Sequence, residues 1–246
     1  MNAANSANDG KARNTLQAIN LTKRYGEEDV IKEITFAASS GEVLGIVGPN
    51  GAGKTTLLGV LAGLTAADSG NVLWRGETLL ASRRKQAMFY LPDGITPYQD
   101  RFTLDVVNFF AKVYRQPAAQ VSTTIAAVEL APVLRKRVSG LSKGYNRRLL
   151  LALGLLTPQN VLLMDEPFDG FDLRQSRNVI EVLRKEAAQG RTLILAIHQL
   201  ADAERACDRF LLLAEGRLRG VGTLGELRMQ VGLLQGSLED IFLALT

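Results

Sequence analysis

The sequence predicts an α/β fold: a mixed or parallel sheet core, an N-terminal antiparallel β sub-domain and an inserted α-helical sub-domain. Three observations predict it. Residues 48–55 read Gly-Pro-Asn-Gly-Ala-Gly-Lys-Thr, between a short apolar run at 42–47 and a helical stretch at 55–64. Further apolar runs at 161–164, 193–197 and 210–213 read as buried strands, and a helix at 173–189 ends at Gly190 between the first two. Strand, helix, strand at this spacing implies parallel pairing with right-handed crossovers. Between about 95 and 156 the strand signals give way to helical ones.

Taken in order, residues 1–14 are rich in Asn, Ala and Ser and contain no apolar stretch. They read as a disordered tail, neither signal peptide nor anchor, ahead of a single domain at 15–246. Strands are expected at 18–21 and 31–37, separated by a turn at Tyr25-Gly26; the second stops at Ser39-Ser40-Gly41. After the first helix, Ser69-Gly70 reads as a turn, 71–74 as a strand and Arg75-Gly76-Glu77 as another turn. Residues 87–91 form a strand stopped by Pro92. In the insertion, Val106, Phe109, Phe110, Val113 and Tyr114 repeat at helical spacing, and Val121, Ile125, Val128 and Leu130 do so less regularly. A basic stretch at 135–148 closes it, with a helix starting near Asn146.

A length of 246 residues suits one large α/β domain with a sub-domain inserted. The formal charge of +4 is mild, and no nucleic-acid partner is expected. The single cysteine, Cys207, excludes an internal disulfide and fits a reducing compartment. The longest apolar run, 149–156, is far below the ~20 residues of a membrane span. The chain is therefore expected to be soluble by itself, which leaves docking on a membrane protein open.

The segment 48–55 fits G-x-x-x-x-G-K-[ST] without a mismatch. Gly48, Gly51 and Gly53 let the backbone curl so that successive N–H groups point at the phosphates of a nucleotide, and the following helix N-terminus favours the anion. Lys54 supplies positive charge to the β- and γ-phosphates, and the Thr55 hydroxyl is suited to Mg²⁺. The run Val-Leu-Leu-Met-Asp165-Glu166 puts two carboxylates at a strand end, where open α/β sheets bind ligands. Asp165 is expected beside Thr55 and the Mg²⁺. Glu166, one residue on, points elsewhere and is suited to accept a proton from the attacking water. His198, the only histidine, ends another strand; it is either structural or a partner of the γ-phosphate or the water. Tyr25 reads equally as a turn tyrosine and as an aromatic for stacking on adenine. Arg135, Lys136, Arg137, Lys143, Arg147 and Arg148 form a basic run without an acid, around Ser142-Lys143-Gly144 at a second helix N-terminus suited to a phosphate.

Tyr25, the loop at 48–55, Leu141-Ser-Lys-Gly-Tyr145, Leu162-Leu-Met-Asp-Glu-Pro167, Asp172 and His198 occur in the order of an ABC transporter ATP-binding subunit, a P-loop NTPase, which the chain resembles from about residue 16 onward. The stretch 141–145 falls where that family has its Leu-Ser-Gly-Gly-Gln signature. The residues at 198–200, 207–209 and 237–243 resemble the exporter-type branch with separate membrane subunits. The resemblance implies ATP and Mg²⁺ as cofactors and ATP hydrolysis with Lys54, Glu166 and His198 as catalytic residues. Tyr25, Gly48, Asn50, Gly51, Ala52, Gly53, Lys54, Thr55 and Thr56 would bind the nucleotide, and Thr55, Asp165 and Asp93 the metal. It further implies a second nucleotide-binding subunit, expected as a homodimer packed head to tail. Ser142, Lys143 and Gly144 would then contact the opposite ATP, with Asp172 in the inter-subunit loop and the basic run across the interface from the phosphates. Transmembrane permease subunits would hold the chain at the cytoplasmic face of the membrane. The alternative is a soluble ATPase of the same type in cofactor assembly or ribosome and nucleic-acid work. Three departures stand out. Asp93 stands where a Gln is usual, Lys143 and Tyr145 replace signature residues, and Asp169 stands where a Ser is common in the loop ending at Asp172. Lys143 either adds charge to the opposite phosphate or faces solvent.

Overall fold

The computed structural model describes residues 14–246. Of the expected tail at 1–14, residues 1–13 lie outside the described residues, and Asn14 is corrected: it is the first residue of a strand. The chain runs β1 (Asn14–Tyr25), β2 (Glu28–Ser39), β3 (Val43–Val47), α1 (Lys54–Ala62), β4 (Ser69–Trp74), β5 (Glu77–Thr78), α2 (Arg84–Ala87) and β6 (Met88–Leu91). The insertion follows as α3 (Thr103–Val113), α4 (Ala118–Ala127) and α5 (Lys143–Leu155). It leads back through β7 (Val161–Asp165), α6 (Leu173–Ala188), β8 (Thr192–Ile197), α7 (Leu200–Ala206), β9 (Arg209–Ala214), β10 (Arg217–Gly222), α8 (Leu224–Val231) and α9 (Leu238–Leu245).

Two sheets carry these elements. The larger has the order β10-β9-β3-β8-β7-β6. Every pair in it is parallel except β10 with β9. Strands β3, β7 and β8 are buried at every residue, as strands covered on both faces must be. The alternation of the pleat sorts their side chains into two cores. Val43, Val47, Leu193, Leu195 and Met164 face α3–α9, whereas Leu44, Ile46, Ile194 and Leu163 face α1 and the N-terminal strands. The smaller sheet, β2-β1-β4-β5, is antiparallel where paired. Parallel pairing puts the carboxyl ends of β3, β6, β7 and β8 on one edge, and the candidate residues follow those ends.

Two further local expectations are corrected, and one expected helix is present with a burial pattern its spacing did not specify. Ser69-Gly70 is not a turn but the start of β4, because the strand crosses β1 so closely that a Cβ on Gly70 would lie 2.3 Å from the Asn20 carbonyl oxygen. The register of β1 with β4 slips at that point. Helix α5 begins at Lys143, three residues before Asn146, because Ser142 caps it by accepting from the Tyr145 N–H. Helix α3 exists, but its buried residues are Thr103, Val106, Val107 and Ala111, while Phe109 and Val113 are exposed.

Candidate functional site

The phosphate loop leaves β3 at Val47 and enters α1 at Lys54. A Cβ on Gly48 would sit 2.0 Å from the Leu213 carbonyl oxygen, so only glycine fits against β9 there. Gly53, at φ +101°, is the N-cap of α1 and supplies no side-chain cap. The first N–H groups of α1 thus have no side-chain acceptor from the cap, an arrangement suited to an anion. Lys54 is 6% exposed, and its Nζ donates to the carbonyls of Gly48 at 2.7 Å and Pro49 at 3.2 Å, which folds the ammonium back over its own loop. Burial lowers the Lys54 pKa from its ordinary 10.5, and the charges of Glu166 and Asp165 oppose that shift.

A cleft of about 410 Å³ gathers Asn50, Gly51, Gly53, Lys54, Thr55 and Thr56 with Asp93, Asp165 and Glu166. Sequence reasoning did not include Glu28 and Val30, which close the same cleft from β2; nothing in their local sequence marks them. Asp165, the last residue of β7, is 3% exposed. Its pKa is raised above the ordinary carboxylate value, first by burial; the neighbouring Thr55 hydroxyl opposes the shift, the charge of Asp93 adds to it, and Lys54 opposes it. Tyr90 on β6 donates its hydroxyl to Asp165 Oδ2 at 3.5 Å, and burial followed by the Asp165 charge pushes that phenol up.

Glu166 takes φ +49°, a left-handed conformation that is uncommon for a residue with a side chain. Its N–H still extends the β7–β8 ladder to the Ala196 carbonyl at 2.9 Å. Its side chain turns to the end of β8, where Oε2 lies 2.6 Å from His198 Nδ1 and accepts from the His198 N–H at 3.3 Å. The strand-end histidine is therefore joined to the second carboxylate. His198 also borders a neighbouring cavity of about 300 Å³ with Gly48, Asn50, Leu200 and Phe242 of α9.

The basic run does not form one exposed face. Arg147 and Arg148 are 8% and 7% exposed. Arg147 is paired with Asp93, and Arg148 with Glu129. Arg137 donates to the Asp100 carbonyl and lies over the Phe102 ring. Lys143 faces solvent, as one of its two expected readings has it, but it is not unpaired: its Nζ is 2.6 Å from Asp169 Oδ2. Position along α5 explains the change: Lys143 is its exposed first residue, whereas Arg147 and Arg148, one turn further in, are buried.

Ser142, Lys143 and Gly144 do not line the phosphate cleft. Lys143 and Gly144 sit against the loop that precedes α6, where a Cβ on Gly144 would lie 3.3 Å from the Gly170 carbonyl oxygen. Asp172 is the N-cap of α6, closing a capping box with Gln175. Ala52, within the phosphate loop, is buried. Tyr25 is 51% exposed, with Lys23 Nζ 5.2 Å from its ring centroid.

Residues 31–169 match a family model described as ABC transporter. The chain is 35% identical over 216 residues to the Nod factor export ATP-binding protein I of Ralstonia nicotianae, covering 84% of this chain and 66% of that one. It is 30% identical over 226 residues to the linearmycin resistance ATP-binding protein LnrL of Bacillus subtilis, covering 88% of this chain and 72% of that one. Among solved structures, an ATP-binding subunit of an ABC transporter superposes with a TM-score of 0.85 at 28% identity, over 94% of this chain and 99% of that one. A bacterial Atm1-family ABC exporter with ATP bound shares the fold, at a TM-score of 0.79 and 22% identity over 90% of this chain and 40% of that one.

Proposed function

The chain belongs to the ABC transporter family as an ATP-binding subunit, and from that premise we propose that it drives export by closing head to tail on a second nucleotide-binding subunit, a copy of itself, and hydrolysing ATP between them. The observation that carries this reading is the cleft that joins the phosphate loop to Asp165 and Glu166, with Glu166 held from outside it by His198.

In this reading the N–H groups of the loop and Lys54 hold the β- and γ-phosphates, and Tyr25 stacks on the adenine. The donor set fits Mg²⁺: a hydroxyl and a carboxylate, Thr55 and Asp165, lie together, and Mg²⁺ is commonly held by one or two protein oxygens plus phosphate oxygens. When bound, Mg²⁺ would neutralise charge on the phosphates. Glu166 takes the proton of a water whose oxygen bonds to the γ-phosphorus as the bond to the β–γ bridging oxygen breaks. ADP and phosphate are the products. His198 holds Glu166 in place through Nδ1 and offers the rest of its ring to the γ-phosphate. Ser142, Lys143 and Gly144, which lie outside their own chain's cleft, complete the partner's site, with Asp172 in the loop between subunits. Asp93 stays at the metal edge of the cleft.

The membrane partner is a pair of permease subunits, which keep the chain at the cytoplasmic face. Among the described residues no helix is long and apolar enough to cross a membrane. A half-exposed aromatic pair, Tyr98 and Phe109 at 5.7 Å between centroids, supplies an apolar surface on the insertion near Asp93. The names of the relatives, which concern Nod factor export and linearmycin resistance, favour export over import.

The test is light scattering on the Glu166→Gln chain with ATP and Mg²⁺. A dimer holding two unhydrolysed ATP molecules is expected, with monomer in ADP. Failure to bind ATP, or binding without a change of mass, overturns the reading.

A further inference from the structure

We propose that Arg147 is a positioning residue for the nucleotide site, acting through Asp93: it holds that carboxylate off the cation and ties the signature helix to the cleft, until cation and nucleotide arrive together. The proposal rests on reading the cleft as a Mg²⁺–nucleotide site.

The side chain of Arg147 is 9% exposed and bridges three elements. It projects from α5, five residues after the Ser142 cap. Its Nη2 is paired with Asp93 Oδ1 in the loop after β6, and its Nη1 faces the Asp165 carbonyl oxygen at the end of β7 at 3.4 Å. The adjacent Asn146 adds two ties to the same loop, through Nδ2 to the Ile95 carbonyl at 3.0 Å and the Thr96 hydroxyl at 3.4 Å. The first turns of α5 therefore grip residues 93–96 at three points. One of those points is a carboxylate that lines the phosphate cleft.

Charge gives the grip its meaning. The cleft lining contains Asp93, Asp165 and Glu166, together with Glu28, and Lys54 is its only cation among the described residues. A fourth acid, Asp93, beside a triphosphate would repel it unless neutralised. Arg147 neutralises it, and in doing so occupies an oxygen that a hard cation would otherwise take. Asp93 cannot serve the guanidinium and the cation equally. As it turns toward a cation, the loop loses one of its three ties to the helix that carries Ser142 and Gly144. Occupancy of one subunit's site is thereby coupled to the part of the chain that meets the partner's nucleotide.

The test measures binding, not turnover: the affinity for adenylyl imidodiphosphate with and without Mg²⁺. In Arg147→Gln and in Arg147→Met, which keeps the buried stem, the enhancement of affinity by Mg²⁺ should rise ~fivefold or more over the parent. In the Asp93→Gln background the same substitutions should change it by less than about twofold. Arg147→Lys, which keeps the charge, should stay near the parent. Hydrogen exchange of residues 94–102 should rise in the parent only with cation and nucleotide together, and should already be high in Arg147→Gln. An unchanged enhancement in Arg147→Gln and Arg147→Met overturns the proposal, as does a rise that persists with Gln at 93. A parent that binds no nucleotide overturns the underlying site reading as well. A parent that binds it without this dependence on Arg147 overturns the positioning role alone.

Discussion

Glu166 Oε2 lies 2.6 Å from His198 Nδ1, and Glu166 reaches that position from a left-handed backbone at φ +49°. A residue continuing β7 in extended conformation would place its side chain above or below the sheet. The left-handed turn instead swings the carboxylate along the sheet edge toward the end of β8, so the proposed base is held by a neighbouring strand.

Glu166→Gln removes the proton acceptor but keeps the size and one hydrogen-bonding oxygen. Phosphate release should fall by about 10²–10⁴-fold, the usual contribution of a general base, while ATP affinity stays within about threefold. His198→Ala leaves the carboxylate but not its holder. Its loss should be smaller than that of Glu166→Gln, and the double variant should be no slower than Glu166→Gln alone. Steady-state turnover combined with equilibrium nucleotide binding checks both. Parental turnover in Glu166→Gln would remove the residue from the chemistry.

Asp165 carries a cost that function imposes on stability. Burial raises its pKa above 3.8, so between 3.8 and the raised value the folded chain binds more protons than the unfolded one. Stability then falls as pH rises through that window, and the full cost is present above it. Asp165→Asn removes the charge. At pH 7 in the absence of nucleotide its Tm should exceed the parent's by a few degrees, since about 1 kcal/mol moves Tm by ~2–4 °C in a chain of this size. The gap should close as the pH drops toward 3.8. With Mg²⁺ and ATP the order should reverse, because the Asn side chain is a weaker cation ligand. Thermal melts across pH, with and without nucleotide, decide it.

The parts of this site that could be read from sequence are those that depend on local chain geometry. The glycines of 48–53 and the strand-end position of Asp165 and Glu166 follow from a few neighbouring residues and the parallel sheet. The Arg147–Asp93 pair spans 54 residues and joins a helix to a loop after a distant strand; no local pattern selects Asp93 over Asp169 as the partner of a given cation. The basic run was misleading for the same reason: only Lys143, Arg147 and Arg148 of its six residues lie on α5, and each pairs with an acid distant in sequence. The cap at Ser142 was available as a signal and fixes the start of that helix. The exposure of Phe109 and Val113 was not available, because helical spacing identifies a helix without saying which of two apolar stripes meets the core.

Gly48 and Gly51 are predicted to respond differently to the same substitution. At Gly48 an added Cβ meets the Leu213 carbonyl at 2.0 Å, and that backbone belongs to β9. Gly48→Ala should cost at least ~3 kcal/mol and abolish ATP binding. At Gly51, φ is +80° but nothing lies within 4 Å of an added Cβ. Gly51→Ala should cost only about 1–2 kcal/mol, the strain of a left-handed residue, and should fold while weakening phosphate contact. Urea unfolding of the two variants separates steric from conformational cost.

Arg148 is held by the Val128 carbonyl at 3.1 Å, by Glu129, and between the rings of Tyr145 and Phe171, each 5.8 Å away. Arg148→Ala should cost about 3 kcal/mol, because it leaves a buried carbonyl without its donor and removes packing beneath two aromatic rings. Glu129→Gln touches only the exposed end of the pair and should cost less than ~1 kcal/mol. Equal costs in urea unfolding would mean that the ion pair, not the buried packing, holds this corner.

The head-to-tail arrangement makes a prediction that no single-chain site can meet. Ser142→Arg should spoil the site that a chain offers its partner, and Lys54→Ala the site it offers itself. Each homodimer then has two damaged sites. A mixed dimer concentrates both lesions in one site: the Lys54→Ala loop meets the Ser142→Arg signature, while the other site combines an intact Lys54 with an intact Ser142. Mixing two inactive chains should therefore restore turnover, to at most about half the parental rate for a dimer with one working site of two. The mixture should also bind one ATP tightly per dimer where neither homodimer does. If Ser142 acted on its own chain's nucleotide, every chain in the mixture would remain defective and no mixing ratio would recover activity. Turnover measured across mixing ratios, with a maximum near equal amounts, distinguishes the two arrangements.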